Sequence, residues 1–160
     1  MRMIIADASP LIMLARSGLT DVLRLLAGKV IVPEAVWNEC VSGGSRPGAT
    51  AILSARHAGH IEVRADAVLN DPLPALGLGE VCAIALAIEL GCPVLMDERL
   101  GRRVASLHGV RVIGSAAILI AAKERGLILA VKPVLADWRA AGYFLSEALL
   151  RAVLQRADEE

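Results

Sequence analysis

Short apolar runs alternate along the chain with longer segments whose apolar residues recur at helical spacing. Such alternation favours right-handed strand–helix–strand units, which build a parallel sheet with helices on both faces. Strands buried on both faces are continuously apolar, as most of these runs are. We therefore predict an α/β fold with three layers (α/β/α) and a central parallel sheet of about five strands, followed by C-terminal helices. The predicted strands are Met3–Ala6, Lys29–Val32, Ile61–Arg64, Cys92–Met96 and Val110–Ile113.

The predicted helices differ in how they meet the core. Gly79–Leu90 is apolar on nearly every side, which predicts a helix buried all round. Ser9 and Ser115 are predicted to cap the helices that begin near them, since neither has a neighbouring base in the sequence. From position 131 the pattern predicts two helices broken at Gly142. We expect residues 1–130 to form the α/β domain and 131–160 a helical extension packed on it.

Composition removes several classes of protein. The chain has 160 residues, 56% of them hydrophobic, which excludes a disordered protein. The longest stretch without a charged residue, Val112–Ala122, has 11 residues, whereas a membrane span needs about 18. The first ten residues lack the apolar core of a secretory signal, so we expect no membrane partner.

The cysteine count and the net charge restrict the location and the partners of the protein less strongly. Three cysteines without a C-x-x-C pair argue against a disulfide framework or a zinc ribbon, so the reducing cytoplasm is the expected location. Seventeen basic and 17 acidic residues give no net charge, hence no global attraction to nucleic acid. A polyanionic partner would need a local basic patch or bound metal ions.

Four acidic residues stand where the carboxyl ends of the strands should meet. Asp7 and Asp97 follow the first and fourth strands, Glu80 opens the buried helix, and Glu39 lies off the apolar face of its own helix. Each alone has an ordinary explanation as a cap, a helix-dipole partner or a solvated side chain. Together they can converge on the crevice beyond the strand ends. Four clustered carboxylates repel one another, and Mg²⁺ or Mn²⁺ relieves that repulsion and supports phosphodiester hydrolysis.

Four segments resemble PIN-domain proteins, in particular the PIN-like branch near the toxin–antitoxin ribonucleases. They are IIADASPLI, VIVPEAVWNEC, LGLGEVCAIALAIELGCPVLMDERLGRRVA and RVIGSAAIL, and the resemblance extends over about residues 1–125. The 17-residue interval from Glu80 to Asp97 matches the third and fourth acidic positions of that family. Carried over, the acidic tetrad is Asp7, Glu39, Glu80 and Asp97, with Glu80 standing where most members have aspartate.

The resemblance implies a metal-dependent endoribonuclease that hydrolyses single-stranded RNA, and it offers the toxin of a toxin–antitoxin pair as a candidate role. Asp7, Glu80 and Asp97 would hold Mg²⁺ or Mn²⁺, while Glu39 would be an outer ligand or would position the attacking water. Ser9 fits the small polar residue that follows the first aspartate in the family. A homodimer is also expected, because the last predicted helix carries an apolar stripe that demands a partner if it is exposed.

Three arginines follow the fourth acidic residue. Arg99, Arg102 and Arg103 have i, i+3, i+4 spacing and therefore share one helix face beside the expected crevice. Together with Ser9 they are candidates for binding RNA phosphates, which cationic side chains hold without reading sequence. The alternative is an ordinary solvated face or pairing with Glu98.

Other functions remain as alternatives to the ribonuclease. A PIN-like binding or regulatory module with weak or no catalysis is compatible with Glu80 and with the neutral net charge. A phospho-receiver should carry lysine at the end of the fifth strand, and an aspartyl-phosphate hydrolase a second aspartate two residues after the first. Here Gly114 and Ser9 stand near those positions, which disfavours both.

Overall fold

The computed structural model describes residues 2–42, 48–70 and 74–160. Its central feature is a sheet in which every paired strand is parallel to its neighbours, in the order β3-β2-β1-β4-β5. The predicted five-stranded α/β architecture is confirmed. The strands are β1 (Met3–Ala6), β2 (Lys29–Pro33), β3 (Ile61–Arg64), β4 (Val94–Leu95) and β5 (Val112–Ile113).

Helices connect the strands and follow the sheet. Proline has no amide to give to a ladder, so Pro93 shortens β4 relative to the predicted Cys92–Met96. The helices are α1 (Ala8–Arg16), α2 (Thr20–Ala27), α3 (Glu34–Val41), α4 (Ala49–His57), α5 (Leu78–Leu90), α6 (Arg99–Leu107), α7 (Ser115–Glu124), α8 (Lys132–Ala140) and α9 (Glu147–Arg156).

Strand β1 lies at the centre of the sheet and is fully enclosed. Ile4, Ile5 and Ala6 have no exposed surface, and Ile5 pairs with β2 on one side and with β4 on the other. Helix α5 has six consecutive buried residues, 82–87, as its apolar pattern predicted. Because the strands are parallel, all their carboxyl ends meet at one edge.

The start of α1 corrects one expectation. Ser9 was predicted to cap this helix, but α1 already begins at Ala8, and Asp7 occupies the capping position with an extended backbone. Ser9 therefore lies inside the first turn, where its side chain is exposed. Asp7 thus stands between the end of β1 and the start of α1.

The chain forms two compact units, residues 1–115 and 116–160. The first contains the sheet with α1–α6. The second contains nearly all of α7 together with α8 and α9. Within it, Trp138 is buried and meets Tyr143 edge-to-face at 5.7 Å between ring centroids. No helix in the described part of the chain is long and apolar enough to cross a bilayer.

Glu159 ties the second unit together. Its two carboxylate oxygens accept hydrogen bonds from the amides of Val131 (2.8 Å) and Lys132 (2.9 Å) at the start of α8. Lys123, near the end of α7, lies 3.1 Å from the same carboxylate. Burial alone would raise the pKa of Glu159, but the two amides and Lys123 outweigh burial and lower it.

Replacing Glu159 by alanine is expected to destabilise this helical unit. Loss of a charged cap costs about 1–2 kcal/mol, or a few °C in Tm. The neighbouring, exposed Glu160 provides the matched control, Glu160→Ala, for which we expect no change. Thermal unfolding followed by circular dichroism at pH 7 measures both, and an equal Tm for the two variants would contradict the capping role.

Candidate functional site

The carboxyl edge of the sheet brings acidic side chains together. Asp7 follows β1, and its amide donates a hydrogen bond to the carbonyl of Leu95 at the end of β4 (2.9 Å). This contact aligns Asp7 with the chain that leads directly to Asp97. The Asp7 side chain lies in this edge and is only 6% exposed.

Asp7 is the electrostatic centre of the cluster. Its pKa is raised to about 6, first because burial removes water from the carboxylate. The negative charges of Glu39, Asp97 and Glu98 raise it further, whereas the amide of Ala8 lowers it. The fold therefore places these three carboxylates within electrostatic range of Asp7.

Glu80 joins the cluster from the first turn of α5. Its Oε1 accepts a long hydrogen bond from the amide of Gly77 (3.4 Å), while its buried Oε2 has no hydrogen-bond partner among the described residues. Burial, followed by the charges of Asp7 and Glu98, raises the pKa of Glu80 to about 7. An unpaired buried carboxylate oxygen is costly, and a proton shared with Glu98 or a bound cation would satisfy it.

Glu98 is a member of the cluster that the sequence analysis did not select. It caps α6, accepting hydrogen bonds from the amides of Leu100 (3.0 Å) and Gly101 (2.6 Å). Burial opposes ionisation, but these amides, and a hydrogen bond that Glu80 donates when it is protonated, lower the pKa of Glu98. The cap was missed because glutamate is not among the preferred capping residues.

Glu39 lies on α3, and its side chain reaches the start of α5. Its side chain is exposed, and its Oε1 lies directly against Gly79, so close that a Cβ at position 79 would overlap it. Since Gly79 precedes Glu80, the carboxylate of Glu39 lies at the start of α5, beside Glu80. A glycine at this position is what gives Glu39 room to lie there.

Asp97 is held by the start of α7. Its Oδ1 accepts a hydrogen bond from the amide of Ser115 (2.8 Å) and its Oδ2 accepts one from the Ser115 hydroxyl (2.5 Å).

The three arginines differ in their surroundings. Arg102 donates from Nη1 to the carbonyl of Met96 (2.9 Å), whereas Arg99 and Arg103 are exposed.

Comparison with known proteins shows to which family the chain belongs. A family model of the DUF3368 group, described as a PIN domain, matches residues 3–159. The chain belongs to the PIN-domain family. The resemblance seen in the sequence is thereby confirmed, and proteins of this family are generally nucleases that use divalent metals.

A solved structure supports the fold of this PIN domain. It is a PilT N-terminus domain protein from the hyperthermophilic archaeon Sulfolobus solfataricus P2, which is similar to this chain with a TM-score of 0.55 at 18% identity. The match covers 74% of this chain and 92% of the archaeal chain. At that identity the likeness shows the fold alone. No curated protein matches the chain significantly.

The donor set of this PIN domain suits a hard divalent cation. The cluster offers carboxylate oxygens only, and Mg²⁺ commonly uses one or two carboxylates while keeping several waters. Gly101 leaves space beside two of them, since a Cβ there would lie 3.1 Å from Glu80 Oε2 and 3.4 Å from Glu98 Oε2. Within the described ranges, no three His, Cys, Asp or Glu side chains are arranged to hold one ion directly.

Proposed function

We propose that this PIN domain is a metal-dependent endoribonuclease that hydrolyses RNA with Mg²⁺ or Mn²⁺. The observation that carries the proposal is the environment of Asp7. A buried carboxylate with a pKa of about 6 is surrounded by Glu39, Asp97 and Glu98, and it acts in turn on Glu80, whose Oε2 is buried and unpaired among the described residues. A divalent cation would offset both the repulsion and the unpaired oxygen.

The side chains then take distinct roles. Asp7, Glu80 and Asp97 would hold the cation directly or through water, and Glu39 would orient the attacking water from its place over Gly79. A bound Mg²⁺ or Mn²⁺ supplies an activated water and offsets charge on the phosphodiester. Glu98 would accept a hydrogen bond from Glu80 while Glu80 is protonated, and a bound cation would displace that proton.

The substrate would be single-stranded RNA, held through its phosphates. Arg99 and Arg103 support this role because both are exposed on the helix that follows Asp97. Arg102 would contribute the N–H groups that do not bind the Met96 carbonyl, and Ser9 would contribute its exposed hydroxyl. These contacts position the backbone and carry no sequence preference.

Cleavage of a fluorescently labelled single-stranded RNA tests the activity. The wild-type chain is expected to cut it in Mn²⁺ or Mg²⁺ and to stop when EDTA is added. Asp97→Asn should cut at least about 100-fold more slowly, because it removes a charge from the site. Asp137→Asn, an exposed change on α8, is the matched control and should cut normally. Equal cleavage by wild type and Asp97→Asn would contradict the site.

A binding or regulatory module is the second candidate, and one observation favours it. Both oxygens of Asp97 accept hydrogen bonds from Ser115, and both oxygens of Glu98 accept hydrogen bonds from α6 amides. Two of the five carboxylates are thus already engaged within the protein. This candidate predicts that RNA binds without being cut and that Mn²⁺ leaves the Tm unchanged.

The cellular role is proposed from the resemblance to toxin–antitoxin ribonucleases. The chain would act in the cytoplasm as a toxin, inhibited by a small antitoxin protein.

Pairing of two copies through α9 is also proposed, since its Leu149 is 46% exposed. Co-expression with the product of the adjacent gene, followed by sedimentation of the free and bound chain, tests both partners.

A further inference from the structure

Ser115 makes an unusual pair of contacts for a residue that begins a helix. It is only 4% exposed, and both its amide and its hydroxyl donate to the same carboxylate, that of Asp97. The two residues are 18 positions apart, so the contact joins the end of β4 to the start of α7. Two hydrogen bonds to the two oxygens of one carboxylate leave it a single orientation.

The residue before Ser115 shapes the same place. A Cβ at Gly114 would lie 2.8 Å from Arg102 Nη1 and 3.4 Å from Asp97 Oδ1. Arg102 in turn donates to the carbonyl of Met96, the residue that precedes Asp97 (2.9 Å). Glycine at 114 therefore lets the guanidinium group and the carboxylate lie against the same stretch of backbone, and both contacts restrain the chain around Asp97.

We propose that Ser115 is a positioning residue, whose hydroxyl fixes the Asp97 carboxylate in the orientation needed to hold a divalent cation at the carboxyl edge of the sheet. The inference rests on the proposed nuclease function. Groups that hydrogen-bond to a metal-binding carboxylate orient it and tune its affinity, and their loss commonly weakens metal binding or activity by about 10- to 100-fold. Ser115 and Asp97 have the geometry of such a pair.

The test compares Ser115→Ala with Ser115→Thr, which keeps the hydroxyl. Ser115→Ala should bind Mn²⁺ about 10- to 100-fold more weakly by calorimetry, should need correspondingly more Mn²⁺ for RNA cleavage, and should show a rotated Asp97 carboxylate in a crystal structure. Ser115→Thr should remain within about threefold of wild type, since its hydroxyl can still donate.

Ser146→Ala separates positioning from helix capping. Ser146 also begins a helix, α9, where its hydroxyl accepts a hydrogen bond from the Leu149 amide (3.1 Å). Its loss should lower the Tm by a few °C and leave Mn²⁺ affinity unchanged. If Ser115→Ala behaves like Ser146→Ala, with wild-type Mn²⁺ affinity and an unmoved Asp97, Ser115 is only a cap and the inference is wrong.

Gly114→Ala provides a second variant that keeps the hydroxyl. Its Cβ should displace Arg102 or Asp97, and we expect a loss of Mn²⁺ affinity comparable with that of Ser115→Ala. Wild-type affinity in this variant would contradict the role of the surrounding backbone. If the wild-type chain neither binds Mn²⁺ nor cuts RNA, the nuclease proposal fails. The orientation of Asp97 in Ser115→Ala then decides the positioning role on its own.

Discussion

Asp7→Asn is expected to abolish RNA cleavage and, in EDTA, to make the protein more stable than the wild type. Asp7 is 6% exposed and carries a pKa of about 6, raised above the ordinary 3.8 by burial and by neighbouring carboxylates. At about 1.4 kcal/mol per pKa unit, ionised Asp7 costs the metal-free folded protein about 3 kcal/mol. The amide of asparagine avoids the charge at nearly the same volume, so we expect a Tm about 6–12 °C higher at pH 8.

The gain in stability should depend on pH in one direction. Above about pH 6 the carboxylate is ionised in both the folded and the unfolded chain, and the folded chain bears the full cost of its burial. Below the unfolded pKa of about 4 both states are protonated and the cost disappears. Wild-type stability should therefore fall as the pH rises from about 4 to 6, and the difference in Tm from Asp7→Asn should open over that interval.

Whereas the stability of Asp7→Asn should rise, its rate of RNA cleavage should fall. Removal of a charge that holds the cation costs several kcal/mol in the transition state, or about 10³-fold in rate. Asp137→Asn should change neither property by a measurable amount, because exposed substitutions usually cost less than about 0.5 kcal/mol. A lower Tm for Asp7→Asn at pH 8, or cleavage at the wild-type rate, would show that Asp7 is a structural residue.

The sequence predicted those features that depend on local pattern. Short apolar runs located β1, β2, β4 and β5, because strands of a parallel sheet are buried on both faces. β3 alternates apolar and charged residues and is less buried. The same reasoning identified α5 as a buried helix. It also predicted that Asp7 and Asp97 follow two strands whose carboxyl ends share an edge, and the strand order shows that these two strands are neighbours. The proximity of Asp7, Glu39, Glu80 and Asp97 follows from that topology.

Features that depend on contacts distant in sequence could not be predicted. Ser115 was expected to cap its own helix, but whether its hydroxyl would find Asp97, 18 positions earlier, depends on how β4 and α7 are arranged in space. Arg102 was selected for its spacing on a helix face, and only the fold shows its bond to Met96. Glu98 was missed because its role comes from Glu80, which lies on another helix.

The functional importance of the glycines in the site also could not be predicted from the sequence. Gly79 and Gly101 both lie in the first turns of helices, where glycine is weakly unfavourable and carries no signal of its own. Their importance is the space they leave. At Gly79 that space is filled by Glu39, and at Gly101 it is bordered by Met96, Glu80 and Glu98.

Alanine at each of these two glycines is expected to reduce cleavage but to change stability in opposite directions. At Gly101 the new Cβ would lie 2.5 Å from Met96 Sδ, and Met96 is completely buried. Overpacking of this kind costs about 1–3 kcal/mol, more than alanine returns in helix propensity. We expect a Tm lower by about 3–6 °C, with cleavage reduced because Glu80 and Glu98 are crowded.

At Gly79 the overlapping atom is the end of an exposed, flexible side chain, that of Glu39. Glu39 can swing away, so Gly79→Ala should keep or slightly raise the Tm, by up to about 1 kcal/mol of helix propensity. Cleavage should nevertheless fall about tenfold, since the water that Glu39 orients is lost. A double-mutant cycle isolates the cause: in a Glu39→Ala background, Gly79→Ala should reduce cleavage no further. An additional loss there would mean that Gly79 acts through Glu80 or through the backbone of α5 instead.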